Sequence, residues 1–155
     1  MTDPDPGSEA VPGWVRLGVV LVLAVPQLLV GVWALVATAN WYENFPGVGP
    51  DLVAAIPPFN EHLAADAGGG FFATGVGLLL AGIWPRRDLV LLALAVFLAF
   101  ALPHTLYHSI NEAPGLQGAE EIVNAASLWF QVVAAAVLAW GAWRAVPREA
   151  GLGAR

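Results

Sequence analysis

The sequence predicts an all-α membrane protein, a bundle of four transmembrane helices with both termini in the cytoplasm. Three observations carry that reading. Hydrophobic residues make up 58% of the chain and charged ones only 12%, four long stretches are almost free of charge, and every arginine falls on one side of the layout they imply. Ordinary soluble domains carry about 25% charged residues, so a soluble chain of 155 residues could not hide this much apolar surface. One span needs about 20 apolar residues. Four spans with short connections therefore occupy most of the chain and leave no room for a separate soluble domain.

Residues 1–14 (MTDPDPGSEAVPGW) are acidic and rich in Pro and Gly, the composition of a disordered tail, and the bundle is expected over 15–145. No charge occurs from residue 17 to residue 42, which places a first span at 17–40. Pro26 should kink it, with the Gln27 side chain able to bond a carbonyl that the proline frees. Ala37, Thr38 and Ala39 form an A-x-A pattern before Asn40, which offers cleavage of a signal sequence as a second reading. Against cleavage, the apolar run exceeds the roughly 7 to 15 residues of a signal core, and the segment ahead of it is acidic with the single Arg16.

Residues 41–60 (WYENFPGVGPDLVAAIPPFN) combine Pro and Gly with Trp41, Tyr42 and Phe45, as a loop lying at a membrane interface should. Asn60 is a natural N-cap for a second helix. Its span is placed at 63–84, where Gly69, Ala73, Gly77 and Ala81 recur every four residues as a ridge for close helix packing. Pro85, Arg86, Arg87 and Asp88 make a tight turn into a third span at 89–108, interrupted by Pro103, His104 and Thr105. A loop with Pro114, Gly115 and Gly118 leads to the fourth span at 122–143, whose inner polar groups are Asn124 and Gln131. Gln27 and Gln131 read as interhelical hydrogen-bond partners. Residues 146–155 form a short tail.

Positive charge near span ends stays cytoplasmic. Arg16, Arg86, Arg87, Arg144, Arg148 and Arg155 share one side with Asp3, Asp5, Glu9, Asp88 and Glu149. The outer side holds Glu43, Asp51, Glu61, Asp66, Glu112, Glu120 and Glu121 and no base at all. Trp14, Trp84, Trp140 and Trp143 mark the inner interface, and Trp41, Tyr42, Tyr107 and Trp129 the outer one. The chain has no cysteine, which excludes disulfides and thiolate chemistry.

Candidate chemistry concentrates at the outer ends of spans two and three, where all three histidines lie. His62 precedes Asp66 by four residues, His104 precedes His108 by four, and His108 precedes Glu112 by four, so each set shares a helix face. The tight turn makes the two helices antiparallel neighbours with their histidines at similar depth. Imidazole and carboxylate at such spacing suit a divalent metal such as zinc or iron, with Glu61, Glu120, Glu121 and Asn124 as further donors. The bland alternative is a polar network that organises the outer loops, and a haem between two histidines is a third option. The H-x-x-x-H spacing lacks the glutamate of a metalloprotease H-E-x-x-H.

At WYENFPG (Trp41 to Gly47) and FNEHL (Phe59 to Leu63), and again at PHTLYH (Pro103 to His108), the chain resembles uncharacterised small four-span bacterial membrane proteins. That resemblance implies the four-span fold and no activity. A looser similarity to DoxX-like four-span proteins rests on span count and size.

Two functions follow as expectations. One is a binding or accessory membrane protein whose acidic outer surface meets a cation or a membrane-protein partner. The other is a small enzyme acting on a lipid or isoprenoid at the outer leaflet, with His62, His104 and His108 holding a metal or moving protons. Transport by a monomer is disfavoured, because no charged or paired polar strip continues through the spans. The net charge of −6 gives no footprint for nucleic acid.

Overall fold

Within a bilayer an unbroken apolar segment satisfies its backbone N–H and C=O groups internally only as a helix. The computed structural model describes residues 9–111 and 113–145, and among these it contains five helices and no strand. They are α1 (Gly13–Val36), α2 (Thr38–Asn44), α3 (Glu61–Ile83), α4 (Arg87–Ile110) and α5 (Ala119–Arg144). All but the short α2 are long and apolar enough to cross a membrane. Each of these four helices overlaps one of the four segments the sequence marks as a span.

The helices form a ring. α1 packs on α3, α3 on α4 and α4 on α5, while α1 closes the ring against α5 over residues 13–24. Buried positions recur at helical spacing, as Val15, Val19 and Leu23 do on α1 and Val90, Leu94, Phe97 and Ala101 on α4. Close approach of α1 and α3 depends on glycine. A methyl group on Gly31 would stand 2.5 Å from the Phe72 backbone nitrogen, and one on Gly75 would stand 2.9 Å from that of Leu28. Gly68, Gly75 and Gly82, each seven residues from the next, all face α1 in this seam. The expected ridge of Gly69, Ala73, Gly77 and Ala81 is thus corrected: Gly69 and Gly77 have no neighbour within 4 Å of an added Cβ, and of the four Ala81 is the one buried in the core. A four-residue repeat of small side chains marks a possible packing face, but the core-facing stripe of this helix follows the seven-residue spacing instead.

Pro26 lacks an N–H, and its ring crowds the carbonyl four residues back. Ahead of it α1 widens into a π-helical stretch, Val19–Ala24, where the Val25 N–H bonds the Val20 carbonyl. Gln27 does not turn to a freed backbone carbonyl as expected. Its Nε2 donates across the bundle to Gln131 Oε1 at 2.9 Å, which bears out the pairing of these two glutamines between helices.

Arginines close one end of the ring. The last carbonyls of a helix have no intrahelical donor and carry the negative end of its dipole. Arg16 Nε donates to Gly82 O at the end of α3, and Arg87 donates to Ala142 O and Trp143 O at the end of α5. Arg87 and Arg144 also lie over the Trp143 and Trp140 rings at 5.1 and 4.4 Å. Residues 9–14, expected in a disordered tail, correct that expectation. Val11 N–H donates to Pro85 O, Arg87 N–H donates to Glu9 O, and α1 already begins at Gly13. The backbone of the α3–α4 turn supplies partners that an acidic, Pro-rich composition does not reveal. Residues 1–8 and the expected tail at 146–155 lie outside the described residues.

Candidate binding cavity

At the end away from the arginines the helices stop meeting. α1 and α5 pack together over the first half of α1 only, and the Gln27–Gln131 bond bridges them at the level where they part. Beyond it, α1 breaks at Ala37 (φ −138°, ψ 59°) and continues as α2. The turn carries Trp41 inward, where it is only 4% exposed and meets Phe45 and Phe71 with ring centroids 6.0 and 6.5 Å away. Residues 41–44 are therefore helical, not the start of an interfacial loop.

Two loops cover this end. Leu52 N–H donates to Phe45 O, and Tyr42 OH donates to Ile56 O at 3.3 Å, with the Tyr42 and Phe59 rings 4.8 Å apart. Gly115 N–H donates to Ala55 O at 3.0 Å. A Cβ on Gly115 would stand 2.7 Å from Ala55 Cα, so glycine is what lets the second loop lie against the first. Ala55, Ala113 and Leu116 seal the contact as a small buried cluster. Asn60 caps α3 as expected, its Oδ1 accepting from Leu63 N–H at 3.1 Å.

Between these loops and the four spans lies a cavity of about 550 Å³, within the 300–1,000 Å³ typical of small-molecule sites. Its apolar wall includes Trp41, Phe45, Phe71, Phe100 and Leu128. Its polar strip consists chiefly of His104 and His108 from α4, Asn124 and Gln131 from α5, and Gln27 from α1. His104 stacks on Phe100 at 5.8 Å and 10°, and its edge meets Phe71. His108 packs edge-on against His104 with centroids 4.7 Å apart, so the i, i+4 spacing does bring these two imidazoles together.

That strip has unspent hydrogen-bonding capacity. Among the described residues neither imidazole, nor the Asn124 side chain, nor the Gln131 amide nitrogen has a hydrogen-bond partner. The buried indole nitrogen of Trp41 has none either. Buried polar groups in folded proteins are nearly always paired. The unpaired groups that line the cavity are thus the ones a bound molecule could satisfy.

The remaining candidate residues are elsewhere. His62 Nε2 lies 3.4 Å from Asp66 Oδ2, in a pair whose side chains are 83% and 64% exposed on the outer surface of α3. Neither lines the cavity. Glu61 and Glu121 are exposed, Glu120 accepts from Gln117 N–H at the start of α5, and Glu112 lies outside the described residues. Among the described residues no three His, Asp or Glu side chains are grouped to hold a metal ion, whereas zinc takes three or four protein ligands. Similar depth on neighbouring helices does not guarantee a common face, and His62 and Asp66 face away. The His104 and His108 rings, with centroids 4.7 Å apart, do not flank a haem-sized space in this arrangement.

Comparisons of the chain with protein families, with curated proteins and with solved structures return no match. Trp41, read from the sequence as an interfacial aromatic, is a residue whose burial sequence reasoning missed. Its burial follows from the break at Ala37, which no Pro or Gly announces.

Proposed function

We propose that the protein spans a cell membrane with its arginine end in the cytoplasm and acts as a binding protein, holding an amphipathic small molecule in its outer cavity. The observation that supports this most is a roughly ligand-sized cavity of about 550 Å³ whose polar strip, His104, His108, Asn124 and Gln131, has groups left without partners. An apolar wall with a few convergent polar groups is the usual make-up of a small-molecule site. Binding is favoured over turnover because no described Asp or Glu lines the cavity to orient an imidazole, and Ser127 Oγ donates to Asn124 O, away from either histidine. The orientation rests on the one-sided arginines. Reporters fused within residues 47–51 should be active only when exported, and those within 85–88 only in the cytoplasm.

Native mass spectrometry of protein released directly from its membrane tests the binding reading. Wild type should carry a retained small amphiphile. Leu128→Trp, which adds bulk to the cavity wall, should lose it while keeping its helical content and the melting temperature of the ligand-free wild type. Wild type emerging without any retained molecule, or retention unchanged in Leu128→Trp, would overturn the reading.

A further inference from the structure

The lining of the cavity also specifies the charge of what it holds. We infer that the ligand is an uncharged amphiphile whose polar head presents oxygen acceptors, such as a quinone, a glyceride or an isoprenoid alcohol, to the amide and imidazole groups of Gln131, Asn124, His104 and His108. This rests on the binding reading above.

Two independent features support it. The first is the absence of fixed charge. No Arg, Lys, Asp or Glu is among the described residues lining the cavity, although the outer face just beyond it carries Glu43, Asp51, Glu61, Glu120 and Glu121. An ionised head drawn inside would lose its water and gain no counter-charge, and burial of an unpaired charge is far costlier than burial of a neutral polar group that finds hydrogen bonds. A cationic head would be held better at the acidic surface, and an anionic one would be repelled there.

The second feature is the set of lining groups without partners. Among the described residues the amide nitrogen of Gln131, which lines the cavity, has no acceptor, and an amide N–H₂ donates, so the group it lacks is an acceptor oxygen. The Asn124 amide lines the same cavity without a partner, and an amide or a neutral imidazole can both donate and accept. A carbonyl satisfies the donors, and a hydroxyl can also use the acceptors. Purely hydrocarbon ligands would leave every one of these groups unpaired.

The test uses purified full-length protein in neutral-detergent micelles and reads ligand affinity from quenching or shift of tryptophan fluorescence, checked by thermal shift. The probes are a benzoquinone with a ten-carbon tail, dioleoylglycerol, farnesol, hexadecane, dodecyl phosphate and dodecylamine. The neutral oxygen-bearing probes should bind at least tenfold more tightly than the hydrocarbon or either ion, and their ranking distinguishes a quinone from a glyceride or an alcohol. Gln131→Leu should weaken the preferred probe about tenfold while leaving hexadecane unchanged. Asn124→Leu, which removes a second lining amide, should weaken it too. A charged probe that binds best would overturn the inference and leave the binding reading standing, as would unchanged affinity of the preferred neutral probe in both variants. Failure of every probe to bind would instead remove the binding reading on which the inference rests.

Discussion

Phe97 and Phe100 lie three residues apart on α4, yet they belong to different environments. Phe97 is completely buried, in one close-packed cluster with Val19, Leu23, Leu78, Leu94 and Leu138. Phe100 is half-buried, stacks on His104 and lines the cavity. Toward the arginine end the core of the ring is close-packed and tied off by guanidinium groups on helix carbonyls. Toward the other end the spans part and polar side chains face a space. In a bilayer apolar burial between helices brings little hydrophobic gain over lipid, so association depends on packing and hydrogen bonds. The contrast teaches that the closed half can keep the helices together while the open half is left free to bind.

The sharpest way to break that comparison is to hollow the closed half. Phe97→Ala should cost about 3–5 kcal/mol in reversible unfolding from mixed micelles, whereas His108→Ala should cost less than about 1.5 kcal/mol, the scale of one aromatic contact. Equal losses would mean the two halves share the structural work. Next in size is the α1–α3 seam. Gly31→Ala and Gly75→Ala force a methyl group against backbone atoms and should each destabilise by about 1–3 kcal/mol. Gly69→Ala and Gly77→Ala meet open space and should be neutral or stabilising by up to about 1 kcal/mol in the same assay.

Smaller effects sharpen the description of the open half. Trp41→Phe removes a buried donor that has no acceptor, so the ligand-free protein should gain roughly 1 kcal/mol, seen as a higher melting temperature, because an unpaired buried donor carries a desolvation penalty. A loss of stability would mean that the indole N–H is already satisfied. The smallest expected effect is a coupling of about 0.5–1 kcal/mol between His104→Ala and His108→Ala in a double-mutant cycle, from their edge-on ring contact. His62→Ala should add to either within about 0.5 kcal/mol, since it belongs to a separate exposed pair.

Much of this architecture was legible in the chain. Apolar run length fixes span number because backbone hydrogen bonding allows few alternatives in lipid, and the N-cap at Asn60 and the Gln27–Gln131 pair were readable from residue type and position. Helical spacing alone aligned His104 with His108. What it could not supply was which face of one helix meets which face of the next. That is why Gly68, Gly75 and Gly82 form the seam in place of Gly69 and Gly77, and why His62 stands apart from the other two histidines. The cavity itself was hidden for a related reason. It arises from the separation of α1 and α5 and from the break at Ala37, both of them tertiary features without a local sequence signal.

The most direct test of a closed half that stabilises and an open half that binds is ligand-linked melting in three proteins side by side. The ten-carbon benzoquinone is titrated into wild type, Leu94→Ala and Leu128→Trp, and the rise in Tm is followed against concentration, since a ligand that binds only the folded state stabilises it by mass action. Leu94→Ala should start from a lower Tm yet show the wild-type dependence on ligand. Leu128→Trp should start near the wild-type Tm and show no rise. Loss of the ligand response in Leu94→Ala together with its retention in Leu128→Trp would contradict the account.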